Sequence, residues 1–395
     1  MTRPIFAILF ILLLTSYALA DTKVWLVHSS HTGGHRAAAK ALAKALNENE
    51  NVQAEVINTM DYLPKSLKWL QKTAFALLTK TMPDVKKKAF ESSIEGKETA
   101  KKQAIRWLGV KAWFSRSFLK KIQREKPDII VSTHSQTNVM IGIWKKHGKV
   151  EVPLHCVVTD YNTHTMWAIP WVDKYYVATD FVKKRLVHYG VEKTKIVVTG
   201  IPTSPSFARV PLVSTEKAKT LLNLSPELPT ITMMGGSLGY GPYIEVVKAL
   251  EERGEPVQFL AMCAKNENVR AELDALAPTL KHVRIFTYGF VDRFYRFMDA
   301  ADAVITKPGG LTVTELLCRR KPMIFIKPAL GLEKHVAGAI EKLKVAHIVD
   351  TAEGGAFRAY EEASNDQLQA ERLKAIEACV KPTAVFDIAN SVLQH

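Results

Sequence analysis

At 395 residues the chain is longer than a single ordinary core, so two domains of similar size are the first expectation. Hydrophobic side chains make up 47% and charged ones 24%, close to the globular average, which excludes long disorder and a polytopic membrane protein. The formal net charge of +15 favours an anionic partner, whether nucleic acid, an anionic membrane surface or a phosphorylated substrate, and leaves the fold open.

Residues 1–20 carry Arg3, an apolar run from Ile5 to Leu14, and Ala18-Leu19-Ala20 before Asp21, the pattern of a secretory signal peptide. It predicts export with cleavage between Ala20 and Asp21; left uncleaved, the segment would serve as an anchor, although its run is short for a membrane span. From Val24 onward, β-branched runs alternate with segments of helical period, as in parallel sheets covered by helices. Strands are expected from Val24, Val52, Ile129, Leu154, Tyr175 and Ile196. Beyond a proline-rich break at 204–229 they are expected from Ile231, Val257, Val283, Ala303 and Met323. The expected organisation is a signal-like or anchor segment 1–20, an N-terminal domain 21–205, a linker 206–228 and a C-terminal domain 229–395.

Asp61 to Lys126 departs from this alternation. It holds seventeen basic against six acidic side chains, so about +11 of the net charge sits here, interleaved with Trp69, Phe75, Trp107, Trp113, Phe114 and Phe118. Lysines beside aromatic rings suit an anionic bilayer surface, with cations at the headgroups and rings at the acyl boundary. An ordinary domain face, aromatics inward and lysines solvated, explains the same composition. No nucleic-acid-binding module accompanies the basic interval, and nucleic acid is not an expected partner.

Three turns carry chemistry. The first strand runs through His28 to Gly33-Gly34-His35 and then an alanine-rich helix. Glycines there let backbone approach a ligand, the helix start favours negative charge, and a neutral imidazole at the cleft mouth can take a proton from a hydroxyl nucleophile. The second half opens on a strand followed by Gly235-Gly236-Ser237, whose N–H groups and hydroxyl suit phosphate oxygens. Further on, Gly309-Gly310-Leu311-Thr312 starts another helix, with Glu315 placed to accept bonds from a ribose diol. Two phosphate-type turns after strands of one domain lie where open α/β sheets bind ligands. Cys156, Cys263, Cys318 and Cys379 are widely spaced, and the first three sit in apolar stretches, so a structural zinc site is not expected. There is no D-x-D pair.

These residues resemble the inverting glycolipid glycosyltransferases that include processive diacylglycerol β-glucosyltransferases and monogalactosyldiacylglycerol synthases. The peptidoglycan N-acetylglucosaminyltransferase is a more distant relative. The resemblance rests on T-G-G-H at 32–35, V-T-D-Y-N-T-H at 158–164, V-D-K-Y-Y-V-A-T-D at 172–180 and T-G-I-P-T-S-P-S-F at 199–207, then G-G-S at 235–237 and I-T-K-P-G-G-L-T-V-T-E at 305–315. It implies an α/β chain of GT-B type, two facing Rossmann-like domains with parallel sheets and a cleft between them. By the match, His35 is the acceptor-side base, and Asp160, also catalytic, faces the acceptor and donor sugar. Gly235, Gly236, Ser237, Gly309, Gly310, Thr312, Glu315 and Glu333 hold the donor. Gly33, Gly34, Tyr161, Asn162 and His164 line the acceptor side of the cleft. The implied reaction moves a hexose from a UDP-sugar to diacylglycerol with inversion and without a metal or other cofactor, at a membrane surface on the cytoplasmic face of the inner membrane.

Relatives commonly read G-Q-E followed by asparagine where this chain has Gly331-Leu332-Glu333-Lys334-His335-Val336, which leaves the donor sugar open. Competing expectations on the same fold are a UDP-GlcNAc-type transferase, a nucleotide-sugar epimerase, or an exported, non-catalytic lipid-binding derivative.

Overall fold

The structure, a computed structural model, describes residues 22–29, 33–65, 91–95, 109, 112, 115–328 and 332–394. The twelve strands among them form two parallel sheets of six. The first sheet consists of β1 (Thr22–His28), β2 (Val52–Asn58), β3 (Ile129–Ser132), β4 (Leu154–Val157), β5 (Lys174–Val177) and β6 (Ile196–Val198). The second consists of β7 (Thr230–Met234), β8 (Val257–Ala264), β9 (Val283–Gly289), β10 (Ala303–Thr306), β11 (Met323–Ile326) and β12 (Ala346–Val349). Eleven of these begin within two residues of the positions expected from sequence; β12, four residues at a sheet edge, is an addition to them.

Strand order places the site. The first sheet runs β2-β1-β3-β4-β5-β6, so its order reverses between β1 and β3; the second runs β12-β11-β10-β7-β8-β9 and reverses between β7 and β10. Crossover connections leave those strands in opposite directions, opening a crevice at their carboxyl ends. The turns after β1, β7 and β10 are the three glycine turns singled out from sequence.

Both faces of the first sheet are covered. Val24, Trp25, Leu26 and Val27 are all 0% exposed, and they alternate between two cores as strand geometry requires. Trp25 and Val27 join Phe118, Trp144 and Tyr161 in a cluster that also takes Val313 and Leu316 from the second domain. Val24 and Leu26 pack with Leu42 and Leu46 of helix Gly34–Leu46 and with Val385, Ile388 and Val392 of helix Ala384–Leu393.

By that last contact a helix within the expected 229–395 domain packs on the first sheet. The terminal helix carries an apolar stripe at i, i+3, i+4 and i+7 that needs a partner face, and helix Gly34–Leu46 supplies it. The linker is also structured, with helices Pro205–Arg209 and Thr215–Leu221. The fully buried Arg319 holds it to the second domain by donating to the Val210 and Pro211 carbonyls at 2.9 and 3.2 Å while paired with Asp299.

The signal-like segment and most of the basic interval lie outside the described residues, including Trp69, Phe75, Trp107, Trp113 and Phe114. One member of the interval does not face a membrane: Phe118 is 0% exposed, packed beside Trp25, Tyr62 and Trp144 in the core, because helix Arg116–Glu125 turns its apolar residues onto the sheet. Among the described residues no helix is long and apolar enough to cross a membrane.

Candidate active-site cleft

His35 sits in the first turn of helix Gly34–Leu46, after Gly33, whose φ of +93° is a conformation that side-chain-bearing residues rarely adopt. Its Nδ1 lies 2.8 Å from the Thr133 carbonyl oxygen and 2.7 Å from Thr159 Oγ1. A carbonyl can only accept, so Nδ1 carries the proton and Nε2 keeps its lone pair. Thr133 Oγ1 donates back to the His35 carbonyl at 2.8 Å, which fixes the backbone beneath the ring. The His134 ring meets His35 edge-on at 4.5 Å between centroids, and Trp167 stands 6.2 Å away. Asp160 lies beside this group: burial pushes its carboxyl up, and the charge on His35 pulls it back. His164 is buried, which lowers its imidazole to about 4, with His35 and Arg185 acting in the same direction, so it is neutral near pH 7.

The second domain's side of the cleft is open backbone. Gly235 donates to Tyr243 Oη at 2.8 Å, and Tyr243 donates onward to the Met262 carbonyl at 2.9 Å, seating the loop after β7. The short 3-10 helix Gly236–Leu238 and helix Gly310–Cys318 both start on a glycine N-cap with no side-chain cap and no acidic residue in the first turn. Their leading N–H groups are therefore free to receive an anion. By contrast, helices Ser135–Lys146, Asp180–His188 and Glu267–Leu276 are capped by the side chains of His134, Thr179 and Asn266. Between the two glycine starts lies a cavity of about 250 Å³ lined by Ser237, Thr312, Met234, Met262, Phe290 and Val291, among others. Lys307, an exposed residue, has its Nζ 5.8 Å from the Tyr240 ring centroid. The half-buried Glu315 has no side-chain hydrogen bond among the described residues, and burial pushes its carboxyl up to about 8.

The two sides touch. Tyr161 Oη donates to Thr314 Oγ1 at 3.0 Å, since Thr314 spends its own proton on the Gly310 carbonyl at 2.8 Å. Asn162 Nδ2 donates to the His335 carbonyl at 3.2 Å. Gly310 lies so close to the Thr159 carbonyl that a Cβ there would collide with it, and Gly34 approaches Leu311 Cβ.

Residues 35–203 match the family model for monogalactosyldiacylglycerol (MGDG) synthase, and residues 230–353 match the glycosyltransferase family 28 C-terminal domain. The chain carries the two domains in tandem. Both matches are similar to the glycolipid glycosyltransferases that the motifs resemble. A processive diacylglycerol β-glucosyltransferase of Bacillus subtilis is 32% identical over 235 residues, 59% of this chain and 59% of that protein. A probable MGDG synthase of Oryza sativa subsp. japonica is 31% identical over 291 residues, 69% of this chain and 55% of that protein. The matched stretch is thus under two thirds of each relative's length. Among solved structures, Acinetobacter baumannii MurG superposes with a TM-score of 0.63 at 16% identity, over 95% of this chain and all of that one. The S. aureus MnaA–UDP complex gives 0.58 at 16%, over 94% and 96%. At those identities the likeness shows the fold alone, which is GT-B.

The expected site residues divide by location. Gly33, Gly34, His35, Asp160, Tyr161, Asn162 and His164 gather at the carboxyl edge of the first sheet. Gly235, Gly236, Ser237, Gly309, Gly310, Thr312 and Glu315 gather at that of the second. Glu333 is half-buried in the first turn of helix Leu332–Glu341, and Val336, one turn on, is 2% exposed and belongs to the core cluster. Sequence reasoning missed Thr133, His134, Thr159, Trp167 and Phe290. The run Thr133-His134-Ser135 directly after β3 carried the same strand-to-helix signal as the turn after β1. Among the described residues no group of three or more His, Cys, Asp or Glu side chains is placed to hold a metal ion.

Proposed function

We propose that the protein transfers a hexose from a UDP-sugar to the free hydroxyl of diacylglycerol with inversion. The observation that carries this reading is the opposition, across one cleft, of an imidazole with a free Nε2 lone pair to two uncapped glycine helix starts and an unpartnered carboxylate.

The diacylglycerol oxygen attacks the anomeric carbon from the face opposite the diphosphate. The new carbon–oxygen bond forms as the bond to the β-phosphate oxygen breaks, the hydroxyl proton passes to His35 Nε2, and UDP leaves. One displacement inverts the centre. Backbone dipoles of the Gly235–Ser237 and Gly309–Thr312 turns, aided by Lys307, meet the charge that develops on the diphosphate, so no metal is needed. Glu315 accepts from the ribose diol, Glu333 from sugar hydroxyls, and the base lies in the cavity beside Phe290. Tyr161, Asn162 and His164 shape the acceptor side, with Asp160 steadying the imidazolium. The basic interval docks the first domain on anionic lipid at the cytoplasmic face of the inner membrane, where nucleotide sugars are made.

The test is incubation of the protein with a panel of UDP-sugars and diacylglycerol liposomes, with and without excess chelator, and identification of products by mass. A β-linked hexosyl-diacylglycerol formed in both conditions is expected. Products only with added magnesium or manganese would overturn the metal-free route. A UDP-sugar isomer without glycolipid would establish the epimerase instead.

A further inference from the structure

Thr159 joins the two sides of the cleft at a single residue. It lies two residues past β4 and is 3% exposed. Its hydroxyl stands 2.7 Å from His35 Nδ1, and because that nitrogen already donates to Thr133, Oγ1 receives a share of the same proton. Its carbonyl lies beneath Gly310, the first residue of helix Gly310–Cys318, at an approach that excludes any side chain at that position. The helix start that faces the diphosphate therefore presses on the same peptide whose side chain orients the imidazole. Thr133, the other partner of Nδ1, touches His35 alone through its carbonyl and hydroxyl.

We propose that Thr159 is a positioning residue that ties the seating of the Gly310 helix start to the orientation of His35. The inference rests on the donor and base assignments made above and goes beyond them in naming what aligns one with the other. When phosphate oxygens settle on the N–H groups of Gly310 to Thr312, the helix start is held down on the Thr159 carbonyl. The hydroxyl then keeps the ring aimed into the cleft. The titratable groups facing His35 are Asp160 from the loop after β4, His134 from the loop after β3 and His164. None of them is altered in the variants below, so a change in the pH profile reports the loss at Thr159.

The experiment compares Thr159→Val, Thr159→Ser and wild type by kcat against pH. In parallel, histidine-selective 15N labelling follows the His35 Nδ1 resonance while UDP is added. Thr159→Val is expected to lower kcat about tenfold, the usual effect of one hydrogen bond, with the donor KM within about twofold of wild type. The acidic limb should move to lower pH, because the imidazolium loses an acceptor that favoured it. Thr159→Ser should restore both. In wild type and Thr159→Ser, UDP should displace the His35 resonance; in Thr159→Val it should bind without doing so. An unchanged kcat and limb in Thr159→Val, or failure of the serine variant to rescue, overturns the proposal. UDP binding to wild type with no change at His35 overturns it while leaving the transferase reading intact. No UDP binding at all sinks that reading and this inference with it.

Discussion

His35 enters the cleft with Nδ1 held at 2.8 and 2.7 Å by two partners from the loops after β3 and β4, whereas Glu315, on the other domain, has no side-chain hydrogen bond among the described residues. The first domain's side of the cleft is held in place by hydrogen bonds within the protein. The second domain's side consists of uncapped N–H groups and a carboxylate whose burial disfavours its charge. A base needs one tautomer and one direction, which only fixed hydrogen bonds supply. In the proposed reaction a diphosphate and a ribose would bring their own charge and hydroxyls to groups left unsatisfied among the described residues.

The largest effect that would break this contrast is at His35. His35→Ala should lower turnover on diacylglycerol by about two to four orders of magnitude, the range for losing a general base, with UDP affinity retained. Steady-state kinetics beside calorimetry of UDP binding check both halves, and an unchanged kcat in a folded variant removes His35 from the mechanism.

Glu315 gives the next effect. Glu315→Ala should weaken UDP binding by about 1.5–3 kcal/mol if ribose hydroxyls donate to the carboxylate. With its carboxyl raised from 4.5 to about 8, Glu315 is mostly protonated at pH 7, and binding that favours the anion must release a proton. Calorimetry in buffers of different ionisation enthalpy should therefore show proton release for wild type and none for Glu315→Gln. The same shift bears on stability. The free protein's gain from this group is complete below 4.5 and is lost as pH rises through about 8. Glu315→Gln should therefore lose less thermal stability than wild type between those values, which melting curves across that range measure.

The smallest effect per residue concerns the first domain alone. A protein lacking residues 1–20 should float with liposomes containing phosphatidylglycerol at low salt, each lysine near the surface adding about 1 kcal/mol. Salt should weaken the attachment. Failure to float at low salt would return the basic interval to an ordinary domain face with solvated lysines and inward aromatics, the arrangement in which Phe118 is buried.

How much of this was legible before the structure follows from range along the chain. Gly33-Gly34-His35, Gly235-Gly236-Ser237 and Gly309-Gly310 were readable because a strand, a glycine turn and a helix start occupy adjacent residues, and β-branched runs signalled eleven strands in the same local way. Their convergence was not readable. Thr133 and Thr159 reach His35 from 98 and 124 residues away, since parallel strands pair only through long crossovers. Local pattern likewise gave no hint that helix Ala384–Leu393 returns to the first sheet, or that Val336 turns into the core, because an apolar stripe states that a face must be buried without naming its partner. Residue chemistry and spacing by themselves determined which turns can hold a phosphate and which side chain can take a proton. Strand order and domain docking alone decided that these meet, that Thr159 stands between them, and that His35 keeps its free nitrogen for the cleft.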